Sequence, residues 1–202
     1  MVDSDIAANE ARSGSAVYSE CSLMIRGCTL TGNVAGDQGA LRHAAGVLLV
    51  ESCTIAGNTG PSLGAAVVLS GESQAILERC ILAYNHDGLA VRCYGEARVL
   101  LNCCDVYGHS QGDYEECLAG QEGQRGNFSQ DPLFCGDPDY RLAEDSPCAT
   151  APCGLIGSGE VGCRQAITLP HTNAQLRLLS KRPDLPATLR PCRTKPGRKA
   201  GP

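Results

Sequence analysis

Five rows of residues recur through the first half of the chain and leave it few possible folds. Asn9, Asn33, Asn58, Asn85 and His109 stand 24, 25, 27 and 24 residues apart. Three positions before each stand Ile6, Leu30, Ile55, Leu82 and Val106, and five before stand Ser4, Cys28, Cys53, Cys80 and Cys104. Eight before stand Ile25, Val50, Leu77 and Leu101; ten before stand Leu23, Leu48, Ala75 and Val99. Repetition at a fixed period of this size is the mark of a solenoid, in which each unit buries its apolar face only by stacking on its neighbours. The LxxLxL frame of leucine-rich repeats is missing, as is the Gly-Asp nonapeptide of calcium-binding rolls. What remains is short apolar runs broken by Gly, Asn and Ser, which reads as brief strands joined by turns.

Such runs stack best as parallel, in-register strands about 4.8 Å apart. Each row then becomes a ladder, with Ile, Leu and Val inside and Asn at a turn, where its side chain bonds backbone and tolerates left-handed geometry. The absence of Trp, with only two Phe against 24 Gly, suits a narrow core of small side chains. No run of about 18 apolar residues occurs, so no membrane span is expected. The first fourteen residues have neither a basic nor an apolar stretch of the secretory kind.

The segments SAVYSECSLMIRGCTLTGN, AAGVLLVESCTIAGN, AAVVLSGESQAILERCILAYN and LAVRCYGEARVLLNCCDVYGH carry a resemblance. They are similar to the coils of right-handed parallel β-helix repeat proteins, the pectate-lyase-like superfamily, in particular its bacterial secreted members. The segment NFSQDPLFCGDPDYRLAEDSPCATAPCGLIGSGEVGC, Asn127 to Cys163, resembles the C-terminal closing segment of that group. The resemblance implies an all-β fold: a right-handed parallel β-helix of about five coils with a Cys-rich closing segment. The expected organisation is coils over 1–118, the closing segment over 119–163 and a basic, Pro-rich tail over 164–202. Asn9 closes a coil whose first half would precede Met1, so the first coil is expected to be incomplete and to continue from further coils of a longer protein.

Charge divides the chain at the same point. Residues 1–163 hold 8 basic against 21 acidic residues, a formal −13, while residues 164–202 hold 9 against 1, a formal +8. Six of the eleven prolines follow Cys163, a composition that buries too little apolar area to order itself.

Thirteen cysteines pose two separate problems. The ladder members Cys28, Cys53, Cys80 and Cys104 are expected to be reduced, buried space-fillers, because in-register parallel strands hold their Cβ atoms about 4.8 Å apart, where a disulfide wants roughly 3.5–4.5 Å. Two disulfides are expected among Cys135, Cys148, Cys153 and Cys163, in a loop-rich stretch that a cross-link stabilises by roughly 2–4 kcal/mol. Three pairings are open. A four-cysteine zinc site is the rival, although the spacings lack a C-x2-C knuckle. Cys93 with Cys103 or Cys117 is a further candidate pair. Disulfides imply an oxidising compartment.

Chemistry is sparser. Arg26, Glu51, Glu78 and Asn102 form an outward row holding the one carboxylate pair that the register supplies, and a solvated charge ladder explains it. Asp113, Glu115 and Glu116 are the candidate Ca2+ ligands, against the reading of an exposed acidic loop. His43 and His86 are scattered, and His109 reads as the last rung of the Asn ladder. No Ser-His-Asp set, phosphate loop or HExxH occurs, so no catalytic residue and no cofactor is assigned. The row Met24, Leu49, Ile76 and Leu100 points outward between two inward rows and is a candidate docking face, unless a loop or the Tyr140-Arg141-Leu142 strand covers it.

These features lead to a non-catalytic, secreted or cell-surface scaffold or adhesin-like binding protein, with polysaccharides or other surface components as partners. The competing expectation is part of a polysaccharide lyase or glycoside hydrolase whose catalytic coils lie upstream. The basic tail has no aromatic or groove-reading element beside it, so no specific nucleic-acid role is expected.

Overall fold

The computed structural model describes residues 1–60, 66–136 and 139–163, and the 164–202 tail lies outside them. The first coil contains β1 (Asp5–Ala7), β2 (Glu10–Ser13), β3 (Val17–Ser19) and β4 (Leu23–Arg26). The second contains β5 (Thr29–Thr31), β6 (Val34–Gln38), β7 (Leu41–His43) and β8 (Val47–Glu51). The third contains β9 (Thr54–Ala56), β10 (Val67–Leu69) and β11 (Gln74–Glu78), and the fourth β12 (Ile81–Ala83), β13 (Val91–Cys93) and β14 (Arg98–Asn102). β15 (Asp105–Tyr107) opens the fifth, and β16 (Leu142–Ala143) and β17 (Val161–Cys163) pair in the closing segment.

The coils stack into three long parallel sheets, β1-β5-β9-β12-β15, β4-β8-β11-β14 and β3-β7-β10-β13, with β2-β6 as a short fourth. The register places Ile6, Leu30, Ile55, Leu82 and Val106 in line, and likewise Ile25, Val50, Leu77 and Leu101. All but Ile6 of these are fully buried, and together with Leu41, Val67 and Val91 they form the core. Each fully buried aliphatic side chain contributes about 1.5–3 kcal/mol. The strands stay short because left-handed residues bracket those of the first sheet. Ser52, Arg79 and Cys103 precede them at φ +49, +50 and +51, and Ala8, Gly32, Gly57, Tyr84 and Gly108 follow them at φ +52 to +74.

The molecule is a parallel β-solenoid of about six turns, one more than the repeat count suggests. The coil that β15 opens has no further regular strand. The 3-10 turn Glu116–Leu118 stands where a strand would extend the β13 stack, tied down by the Cys93–Cys117 disulfide. Gln121 then imitates a strand with its side chain: Oε1 accepts from the Leu101 amide at 2.9 Å and Nε2–H donates to the Val99 carbonyl at 3.1 Å. Asn127 does the same for Cys104, and Phe128 bridges to Asp105. The last regular coil is thus capped by side-chain amides as well as by backbone, which leaves few of its polar groups unpaired.

Two expectations need correction. Cys135 pairs with Cys163, but Cys153 reaches out of the closing segment to Cys103 and Cys148 is free and buried. The closing segment lies flat on the first sheet, which brings Cys153 to the turn after β14 and turns Cys148 toward Asp105 instead. The second correction concerns the Tyr140-Arg141-Leu142 strand. It does not cover the Met24 row; Leu142, Cys148 and Ile156 pack on Ile81 and Ala83, the outer face of the first sheet. Gly157 makes the approach possible, since a Cβ there would stand 2.7 Å from Ile81 Cδ1. Ser158 completes it, with its amide on Thr54 Oγ1 and its hydroxyl 2.9 Å from Thr29 Oγ1.

Candidate functional site

The Asn ladder is a polar wire with a direction. Asn33 Oδ1 accepts both the amide and the side-chain Nδ2–H of Asn9, Asn58 Oδ1 accepts the same pair from Asn33, and Asn85 Oδ1 the same pair from Asn58. The Nδ2 groups of Asn33, Asn58 and Asn85 also donate to the carbonyls of Ile6, Leu30 and Ile55, each 2.9 Å away on the preceding coil. With its oxygen so committed, Asn85 presents Nδ2 to His109 Nε2 at 3.1 Å, which makes Nε2 the acceptor and leaves Nδ1–H to donate to Asp113 at 2.8 Å.

The cysteine row follows the same rule. Cys53, Cys80 and Cys104 aim their thiols at the carbonyls of Ile25, Val50 and Leu77, three residues before the cysteine below, and Asn127 Nδ2 takes the matching Leu101 carbonyl. Cys28, Cys53, Cys80 and Cys104 are all free and buried. Both ladders are therefore occupied with architecture.

The acidic candidates do not converge. Asp113 accepts from the His109 ring and amide, the Gly108 amide and the Ser129 hydroxyl, while Glu116 pairs with Arg92. Burial opposes ionisation of Asp113, but the hydrogen bonds from His109 outweigh it and hold the carboxyl below its ordinary value. Glu115 stands just ahead of the 3-10 turn, and no group of three or more potential metal ligands occurs among the described residues. In the outward charged row, Glu51 lies between Arg26 and Arg79, 2.6 Å from each, and Arg79 also reaches Glu78 at 3.2 Å. That is an exposed ion-pair network worth about 1 kcal/mol or less per pair.

Met24, Leu49, Ile76 and Leu100 fall in register on the outer face of the β4-β8-β11-β14 sheet. Met24 is 48% and Ile76 36% exposed. Beside Ile76 and Leu100 lies an open hollow of about 560 Å3 rimmed by Glu72, Glu96 and Arg98.

A site that the repeat did not announce lies where the closing segment meets the first sheet. A cleft of about 450 Å3 is lined by Gly57, Tyr84, His86, Asp131, Leu133, Phe134, Gly136 and Tyr140. Three rings follow one another along it. Tyr84 and Phe134 have centroids 6.2 Å apart at 62°, and Phe134 and Tyr140 5.2 Å apart at 80°. Tyr84 also packs edge-on against Tyr107. Its hydroxyl donates to Asp131 Oδ1 at 2.5 Å, and the same oxygen accepts the Leu133 amide at 2.8 Å. Burial and the Asp131 carboxylate together push the Tyr84 phenol above its ordinary value. The DPLF segment supplies Asp131, Leu133 and Phe134, and only the docking of the closing segment turns it toward Tyr84.

Among known proteins no family model matches the chain, and no curated protein or solved structure matches it.

Proposed function

We propose that this chain is a secreted or cell-surface β-solenoid of the pectate-lyase-like kind that acts as a non-catalytic scaffold and binds glycans. The observation that carries this reading is the composition of the cleft: among the described residues that line it stand three aromatic rings and one carboxylate, Asp131. Hydrolysis of a glycosidic bond calls for two carboxyl groups flanking it, and lyase chemistry of the calcium-dependent kind for a cluster of them. Elsewhere Glu51 is held by two arginines and Asp113 by four donors, so these groups are occupied with structure. Three disulfides are compatible with an extracellular setting, and no helix among the described residues is long and apolar enough to cross a membrane. A rigid, ladder-stapled rod keeps an outer surface in fixed geometry, as a surface-binding protein requires.

The test is retention on a panel of insoluble polysaccharides, cellulose, chitin, mannan and pectin, with the supernatant assayed for reducing ends and unsaturated uronides. Retention without release is expected. Release of either product would establish the enzymatic alternative.

A further inference from the structure

Tyr84 occupies a backbone position that the repeat otherwise gives to small residues. At the corresponding turn the other coils carry Ala8, Gly32, Gly57 and Gly108, all at positive φ; Tyr84 adopts φ +52 with a full aromatic side chain. A left-handed conformation costs such a residue on the order of 1–2 kcal/mol. A second lining residue, Leu133, is left-handed as well, at φ +51. Strain of this kind persists where the surrounding structure holds it in place, and it gathers at binding sites. One coil below, Gly57 does the reverse: a Cβ there would stand 2.7 Å from the Tyr140 hydroxyl, so the missing side chain is what seats Tyr140. Tyr84 is large where the repeat is small, and Gly57, which keeps the repeat's small residue, leaves the room that Tyr140 fills; together they build one shelf.

We propose that this shelf binds a neutral pyranose unit of a glycan, with the sugar's C–H groups against Tyr84, Phe134 and Tyr140 and its hydroxyls donating to Asp131. The proposal rests on the glycan-binding reading above and gives it a place and a ligand class. Aromatic rings take up the apolar C–H face of a sugar, and a carboxylate, which only accepts, needs the donors that hydroxyls bring. Asp131 Oδ1 is committed to Tyr84 and Leu133, whereas Oδ2 has no hydrogen bond among the described residues. The volume lies within the roughly 300–1,000 Å3 of small-molecule sites.

Two observations narrow the ligand. Residues 1–163 carry a formal −13, which disfavours uronic acid and sulfated chains. Tyr140 also borders a second hollow, about 330 Å3, lined by Asp5, Thr29, Thr31, Asp139 and Arg141 among others. Aromatic cleft and polar groove thus meet at one ring, an arrangement for consecutive sugar units rather than for a compact cation.

The full chain is titrated with cellotriose, N,N′,N″-triacetylchitotriose, mannotriose, trigalacturonate and tetramethylammonium, following tyrosine fluorescence, which no Trp obscures. Saturable binding of at least one neutral trisaccharide is expected. Tyr140→Ala and Asp131→Asn should each weaken it about tenfold with the thermal midpoint held within about 3 °C. No response to any neutral trisaccharide, or a preference for trigalacturonate or tetramethylammonium, overturns the proposal. Binding that survives both substitutions removes the cleft as its seat while leaving the glycan-binding reading intact. Release of cleavage products in the retention assay would instead remove that reading.

Discussion

Asn58 has no exposed surface and holds two coils at once, donating to Leu30 and Asn85 while accepting twice from Asn33. Asn58→Ala leaves those groups buried and unpaired, so a loss of about 3 kcal/mol or more in unfolding free energy is expected by urea titration. Cys80→Ser should cost no more than about 1 kcal/mol, because a hydroxyl can take the same Val50 and Glu78 carbonyls that the thiol faces. The two rows were equally legible as repeats, but their energetic weights were not. An amide makes strong bonds in both directions, a thiol only weak ones. Tyr84 was visible only as one more letter before an Asn; its positive φ gives it meaning, and backbone angles follow from how a turn closes against its neighbours.

At the scale of the element, the closing segment is fastened to the solenoid through a buried acid. Asp105 on β15 is fully buried, accepting from the Gln130 amide at 3.1 Å and facing the Cys148 thiol at 3.1 Å. Burial, with Asp113 and Asp131 adding repulsion, raises its pKa from 3.8 to about 7. Burial and the same carboxylate push the Cys148 thiol up. An acid raised on folding stabilises fully below its unfolded value, and that contribution is lost as pH climbs toward the folded value. Stability should therefore fall between about pH 4 and 7, by an amount on the order of 4 kcal/mol for a shift of this size, and then level off. Asp113 runs the other way, its contribution lost only at acid pH below the ordinary carboxylate range. Urea midpoints at pH 5 and 8 check this: the wild type should be weaker at pH 8, and Asp105→Asn should flatten the difference. Were the midpoints equal in the wild type, Asp105 would not be the group that titrates.

Over the whole molecule, the stabilising devices are distributed unevenly. The three disulfides involve residues from Cys93 onward, while the earlier coils rely on ladders and core. Reduction should release the closing segment first: amide exchange of residues 139–163 should rise while that of core residues such as Leu30 and Ile55 stays slow, and the uncovered Ile81 and Ala83 should bind a hydrophobic dye. Ile76→Asp on the outer face of the β4-β8-β11-β14 sheet should change stability by less than about 1 kcal/mol, since the side chain is already 36% exposed; a lower mass in concentration-dependent sedimentation would identify that face as a contact between copies. The sequence by itself determined the solenoid, its core rows and the unpaired state of the cysteine ladder. Each follows from period and from the parallel register, which are local properties repeated. What only the tertiary structure decided is everything the closing segment touches: Cys103 with Cys153, Asp105 against Cys148, and the shelf of Tyr84, Phe134 and Tyr140. Those partners come from one non-repeating segment folding across several coils, and contacts made once, between residues far apart in the chain, leave no period to read.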